Sequence, residues 1–205
     1  MKANQYSLIR YNCMNTRFLL VFCLLLVGFS SHAQPGKPLP AGYLQWSPTR
    51  HLWASDFQLR VRPQNNLNQS VSNLGLQVDG NVYDLFGKRA NQVVQNVFNS
   101  SGSYLDSTDR TGTELQLRYM QTLWDINEVA ARRLRQELRA GAKRILLIGK
   151  PDINDVIRLA YEAANKRQIQ YADETKYGYF VDKQEDWQRQ LAKELAELSA
   201  FAVPN

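Results

Sequence analysis

Asp125 and Glu128 stand in a stretch with helical spacing, Asp173 and Glu174 stand side by side ahead of Thr175, and His51 follows Arg50. Carboxylates held close together can divide into acid and base when their surroundings push their pKa values apart. Glu128, however, lies four residues before Arg132, the spacing of a helical ion pair on the protein surface, and Asp125 has arginines equally near. Adjacent carboxylates at a helix end, as at Asp173 and Glu174, ordinarily cap the helix or pair with cations. His51 has no nucleophile identifiable beside it. Arg132, Arg135, Arg139 and Lys143 recur at steps of three and four. That basic stripe would suit an anionic glycan, a lipid head group or a protein partner. Its simpler reading is a solvated face near the carboxyl end of a helix, where cations complement the dipole. Gly149-Lys150 lacks the earlier glycine and the following hydroxyl of a phosphate-binding loop.

The elements that must position these groups read as strands first and helices second. Leu52 to Val61 has strand-type content and ends near Pro63, and Gln64 to Ser70 is a polar loop. Leu74, Leu76 and Val78 alternate up to Asp79-Gly80 and Val82-Tyr83 resumes beyond, a hairpin pattern. Gln92 to Phe98 is a further strand candidate, and the Ser-, Asn-, Asp- and Gly-rich run Asn99 to Gly112 predicts a loop. From Thr113 the period becomes helical: Tyr119, Leu123, Ile126, Ala130, Leu134 and Leu138 form one stripe to Gly141 or beyond. Arg144 to Ile148 fits either a last helical turn or a short strand. Asp152 after Pro151 predicts a helix cap, with Val156, Ile157, Ala160, Tyr161 and Ala164 as the apolar face. A third helix is expected from Lys183 to Leu198. Strands followed by helices mean an α+β fold.

Residues 1–33 read as a secretory signal, with an apolar core Phe18 to Val27 and Ser31-His32-Ala33 as the cleavage site. Met14 gives a more ordinary start, and residues 34–43 form a Pro/Gly-rich flexible lead-in. The apolar core is short for a membrane span, so no stable span is expected after cleavage. Cleavage would remove Cys13, Cys23 and His32, leaving no cysteine and His51 as the one histidine. It would also remove Lys2, Arg10 and Arg17, lowering the net charge from +6 to +3. That balance does not argue for nucleic acid. One histidine cannot build the usual catalytic zinc site of two or three His in a single chain, so no cofactor is expected.

Three blocks carry a family resemblance. The first is Leu44-Gln-Trp46 through Trp53-Ala-Ser-Asp56-Phe57. The second is Tyr119-Met-Gln121-Thr-Leu123-Trp-Asp125-Ile-Asn-Glu128, followed by Ala131-Arg-Arg-Leu-Arg135. The third is Tyr171-Ala-Asp173-Glu174-Thr175-Lys-Tyr177-Gly178, with Gln184 and Trp187 beyond it. Together they resemble the bacterial family of predicted secreted zinc-dependent proteases, the domain of unknown function numbered 922. The resemblance spans Leu44 to Leu198. It implies one protease-like domain over residues 44–200 with a zincin-like arrangement.

The departures fall on chemistry. In a His-Glu-x-x-His helix two His one turn apart bind zinc and the Glu activates water. Here the corresponding positions hold Tyr119, Met120 and Leu123, and Tyr177 replaces a further family His. Glu128 would lie about 140° around a straight helix from Leu123. These degenerate positions imply no catalytic and no metal-binding residue. The expected protein is a non-catalytic, exported, periplasmic or extracellular binder or scaffold in the cell envelope. Its cleft, between the sheet and the Leu115–Arg139 helix, would take a peptide or envelope protein. The alternative is a hydrolase using carboxylate or other non-metal chemistry in the same cleft. On this alignment, His at 119 and 123 with Glu at 120 would recreate ligands and base on one helical face.

Overall fold

Among the described residues, three short strands and three long helices are laid out in chain order as the α+β reading requires. The structure, a computed structural model, describes residues 39–60, 70–86, 89–107 and 109–204, which belong to one compact unit. The segment read as a secretory signal, the start of the expected lead-in and most of the loop read at Gln64 to Ser70 lie outside the described residues. Strands β1 (Tyr43–Gln45), β2 (Leu74–Val78) and β3 (Val94–Asn99) form an antiparallel sheet in the order β1-β3-β2. Leu44 faces Phe98 across one ladder and Leu74 faces Phe98 across the other, so β3 is the central strand, buried except at Gln95 and Asn99.

Two strand expectations are corrected. The described part of Leu52 to Val61 is not a strand: a 3-10 turn at Ala54–Asp56 interrupts it, because the Asp56 carboxylate turns back to accept the Trp53 N–H at 2.8 Å. The hairpin expected at Asp79-Gly80 does not form either. Val82–Phe86 is a 3-10 helix, started by Asn81 and Asp84 side-chain bonds to nearby backbone N–H groups, and β2 pairs instead with β3. Tyr43, placed in the lead-in from sequence, opens β1.

Helix α1 runs Arg110–Ile148, 39 residues or about 58 Å. It therefore begins inside the predicted loop and resolves Arg144 to Ile148 as helix. Asp109 caps it by accepting the Gly112 N–H at 2.7 Å, and Gly149 ends it at φ 69°, a left-handed conformation glycine adopts without strain. Helix α2 (Ile153–Thr175) starts on the expected cap, Asp152 accepting from Asn154, and α3 spans Val181–Glu197. The sheet covers one side of α1 while α2 and α3 pack on others, so the segment from Trp124 to Arg135 is buried on most of its circumference. One core joins Leu76, Val94, Leu134, Leu138 and Val156. A second joins Trp46, Phe57, Phe98, Met120 and Trp124, and a third joins Ile126, Val129, Tyr171, Trp187 and Leu191.

Candidate functional site

The helical stripe of Tyr119 and Leu123 faces α2 and α3. Tyr119 stacks on Tyr171 with ring centroids 5.1 Å apart and meets Tyr177 edge-on at 6.1 Å. Residues 58 positions apart in the chain are thus brought together by the turn that follows α2. In that turn Lys176, Tyr177 and Gly178 all have positive φ, at 48°, 58° and 88°. Thr175 holds it: its hydroxyl donates to the Tyr171 carbonyl at 2.7 Å and accepts the Gly178 N–H at 3.1 Å. Glycine is required at 178 because a Cβ there would fall 2.8 Å from the Tyr119 Cβ. Burial, then the neighbouring Tyr177 and Asp173, push the Tyr119 phenol up to about 12. It stays protonated across the physiological range. Leu123, half-buried, packs on the Ile126, Tyr171 and Trp187 core.

Met120 points elsewhere. It is 2% exposed, in the core beneath the sheet with Phe98 and Trp124. Adjacent helical residues are separated by about 100°. Tyr119 and Leu123 thus look toward α2 and α3, while the Met120 side chain is held in the core beneath the sheet.

Glu128 forms the expected pair with Arg132, at 2.9 Å, but in the interior rather than on the surface. Arg135 reaches the same carboxylate oxygen at 3.0 Å. Further donors go to main chain, Arg132 to the Leu195 carbonyl and Arg135 to those of Val94 and Phe201, while Arg135 Nη2 is buried without a hydrogen-bond partner. The basic stripe is consequently not a solvated face. Arg132 and Arg135 are buried, whereas Arg139, its guanidinium over the Phe201 ring at 5.7 Å, and Lys143 are exposed.

Core side chains fill the space between the sheet and α1 except at its β1 edge, where Gln45 and the helix residues Glu128 and Arg132 line a cavity. An open cleft of about 480 Å³ lies one face over. The segment Trp46–His51, the α1 residues Gln121, Asp125 and Arg132, the α3 face from Gln188 to Ala196, and Ser199 and Ala202 form its walls. Tyr119, Leu123 and Tyr177 do not line it. Asp125 is its central polar group, accepting from Trp46 Nε1 at 2.8 Å and from Gln121 Nε2 at 3.1 Å. Burial raises its carboxyl above the ordinary value, opposed by those two hydrogen bonds and by His51. Gln121 also accepts the Leu52 N–H at 2.9 Å, tying the helix to the Trp46–Leu52 wall. A smaller cavity of about 320 Å³ adjoins, lined by Glu128, Arg132, Trp46 and the terminal residues Ala202 to Pro204.

The third block is structural in its contacts. Gln184, 1% exposed, accepts from the Tyr171 hydroxyl and donates to Thr122 at 2.7 Å. Glu174 accepts from Gln170 and from Trp187 Nε1 at 2.7 Å, which hold its carboxyl below the usual range, and Asp173 is exposed. Sequence reasoning missed Gln188, Tyr171 as a partner of Tyr119, and the terminal segment as a wall. It had the signal for Gln121, whose i, i+4 spacing to Asp125 places both on one face. Among the described residues no three His, Cys, Asp or Glu side chains converge as a metal-ligand set. Compared with protein-family models, curated proteins and solved structures, the chain matches none.

Proposed function

We propose that the chain is a non-catalytic extracytoplasmic protein on a degenerate, zincin-like protease scaffold, binding a peptide or protein partner in the cell envelope. One observation carries this reading. The turn after α2 brings Tyr177 against Tyr119, as a third ligand position would be brought to a metal helix, yet what meets there is a packed set of aromatic rings. Tyr119, Leu123 and Met120 serve packing, and Glu128 is committed to two arginines. The partner site is the cleft beside Asp125, with an apolar floor from Trp46, Leu191 and Leu195 and polar groups from Gln121, Gln188 and Arg132. Such a mixture of apolar surface and a few convergent polar groups suits ligand recognition.

A second reading rests on Asp125. A carboxyl raised by burial, lining an open cleft within electrostatic reach of His51, is a candidate acid for hydrolysis. The two readings part on one set of measurements. Displayed-peptide selection against the protein should enrich binders that are lost in Ala192→Arg, which blocks the cleft wall. The Asp125→Asn variant should keep the fold and show no change in peptide turnover, because there is none to lose. Turnover of the selected peptides that disappears in Asp125→Asn would establish the hydrolase instead. Near-equimolar zinc in the purified monomer would overturn both.

A further inference from the structure

The exposed end of the α1–α2 hairpin presents Leu147, Ile148 and Leu146 to solvent at 79%, 68% and 37% exposure, three consecutive apolar side chains just before the Gly149 cap. Water-exposed aliphatic side chains are common singly; a contiguous triplet at the tip of a long helix is a surface awaiting a partner. The charge around it is one-signed. From Leu138 to Pro151 the chain carries Arg139, Lys143, Arg144 and Lys150 and no acidic residue. Arg139 is occupied over Phe201, but Lys143, Arg144 and Lys150 are exposed and in no ion pair among the described residues. The carboxylates that follow are committed: Asp152 caps α2 and Asp155 bridges Arg158 at 3.2 Å.

An apolar tip ringed by uncompensated cations is complementary to an anionic lipid surface. Leucine and isoleucine enter the boundary of the acyl region while lysine and arginine, with long flexible stems, reach the phosphates. The alternative role for these cations, offsetting the negative end of the helix dipole, accounts for Lys143 and Arg144. It does not account for three apolar side chains left outside the fold. No described helix is long and apolar enough to cross a membrane, so the contact is peripheral. We propose that the Lys143–Lys150 tip is a membrane-surface contact for anionic phospholipid, separate from the Asp125 cleft and independent of what that cleft binds.

The test is co-sedimentation of the full chain with vesicles of phosphatidylcholine alone or with about one-third phosphatidylglycerol. The apolar run Phe18 to Val27 is common to every variant, so the readout is the difference between parent and tip variants. The parent should partition more strongly onto the anionic vesicles, and less so as salt rises. Combined Lys143→Gln, Arg144→Gln and Lys150→Gln should remove that preference, at about fivefold per cation. Combined Leu147→Ser and Ile148→Ser should lower binding to the anionic vesicles about tenfold or more, since each side chain withdraws several buried methylenes. Equal binding by parent and both variants overturns the proposal. So does a concentration-dependent dimer of the parent, lost in the Leu147→Ser and Ile148→Ser variant while vesicle binding is unaffected, which assigns the tip to a second copy of this chain.

Discussion

Glu128 takes its chemistry from its surroundings. Its carboxylate is 2% exposed and bonded through one oxygen to two guanidinium groups, the centre of a buried ion triad. Replacing it with glutamine leaves Arg132 and Arg135 as two buried cations sharing a neutral acceptor. Glu128→Gln should therefore lower stability by about 3–5 kcal/mol, read by urea unfolding at neutral pH. A loss below about 1 kcal/mol would mean the pair is as weak as a surface bridge. Tyr119 makes a pH-dependent prediction. Its phenol is raised from 10 to about 12 in the fold, so the folded state holds the proton more tightly than the unfolded chain does. The contribution is fully present below pH 10 and is lost as pH rises through about 12. Thermal melts of the parent should fall more steeply over that window than those of Tyr119→Phe, with the two curves parallel at lower pH.

At the scale of elements, α1 decides which substitutions can build a metal site. Positions 119 and 123 look toward the Tyr177 turn, whereas 120 looks under the sheet. Tyr119→His with Leu123→His and Tyr177→His should gain weak zinc binding by calorimetric titration, absent in the parent. Adding Met120→Glu should contribute no base and should cost about 3–5 kcal/mol, because it buries an unpaired carboxylate against Phe98 and Trp124. If the three-His variant folds normally and binds no more zinc than the parent, the alignment of this helix fails. The existence of the helices was legible in the sequence, since the step of three and four and the Asp152 cap signal locally, whereas the two ends of α1, at Arg110 and at the Gly149 cap, were not read. The strand at Leu52 and the hairpin at Gly80 were misread because Asp56, Asn81 and Asp84 fold back on their own backbone. A local side-chain bond of that kind competes with strand pairing without altering the hydrophobic pattern.

Across the whole molecule, the feature least legible in the sequence is the terminal segment. A helix hidden on most sides needs a cover for each side, and which segment supplies it is a long-range fact that no local period encodes. Here Ser199 to Pro204 covers the side that the sheet, α2 and α3 leave, and walls both cavities beside Asp125 and Glu128. It is held by main-chain carbonyls: Asn91 Nδ2 donates to Ala200 and Ala202 at 3.0 and 2.8 Å, and Arg135 Nη1 donates to Phe201 at 2.9 Å. Deleting Ala200 to Asn205 would strip both acceptors from Asn91, itself 9% exposed, and one of the two from Arg135 Nη1. The expected cost is about 2–4 kcal/mol, as Asn91 loses both its acceptors and Arg135 Nη1 one of its two. Asn91→Leu removes the same two bonds from the other end, leaving the Ala200 and Ala202 carbonyls to find other donors, so the two changes should be coupled. In the Asn91→Leu background the deletion should cost about 1–2 kcal/mol less than in the parent, measured by urea unfolding of all four members of the cycle. Strict additivity would mean that the segment is held by something other than Asn91. The walls of the Asp125 cleft would then have to be assigned to α3 and the Trp46–His51 segment alone.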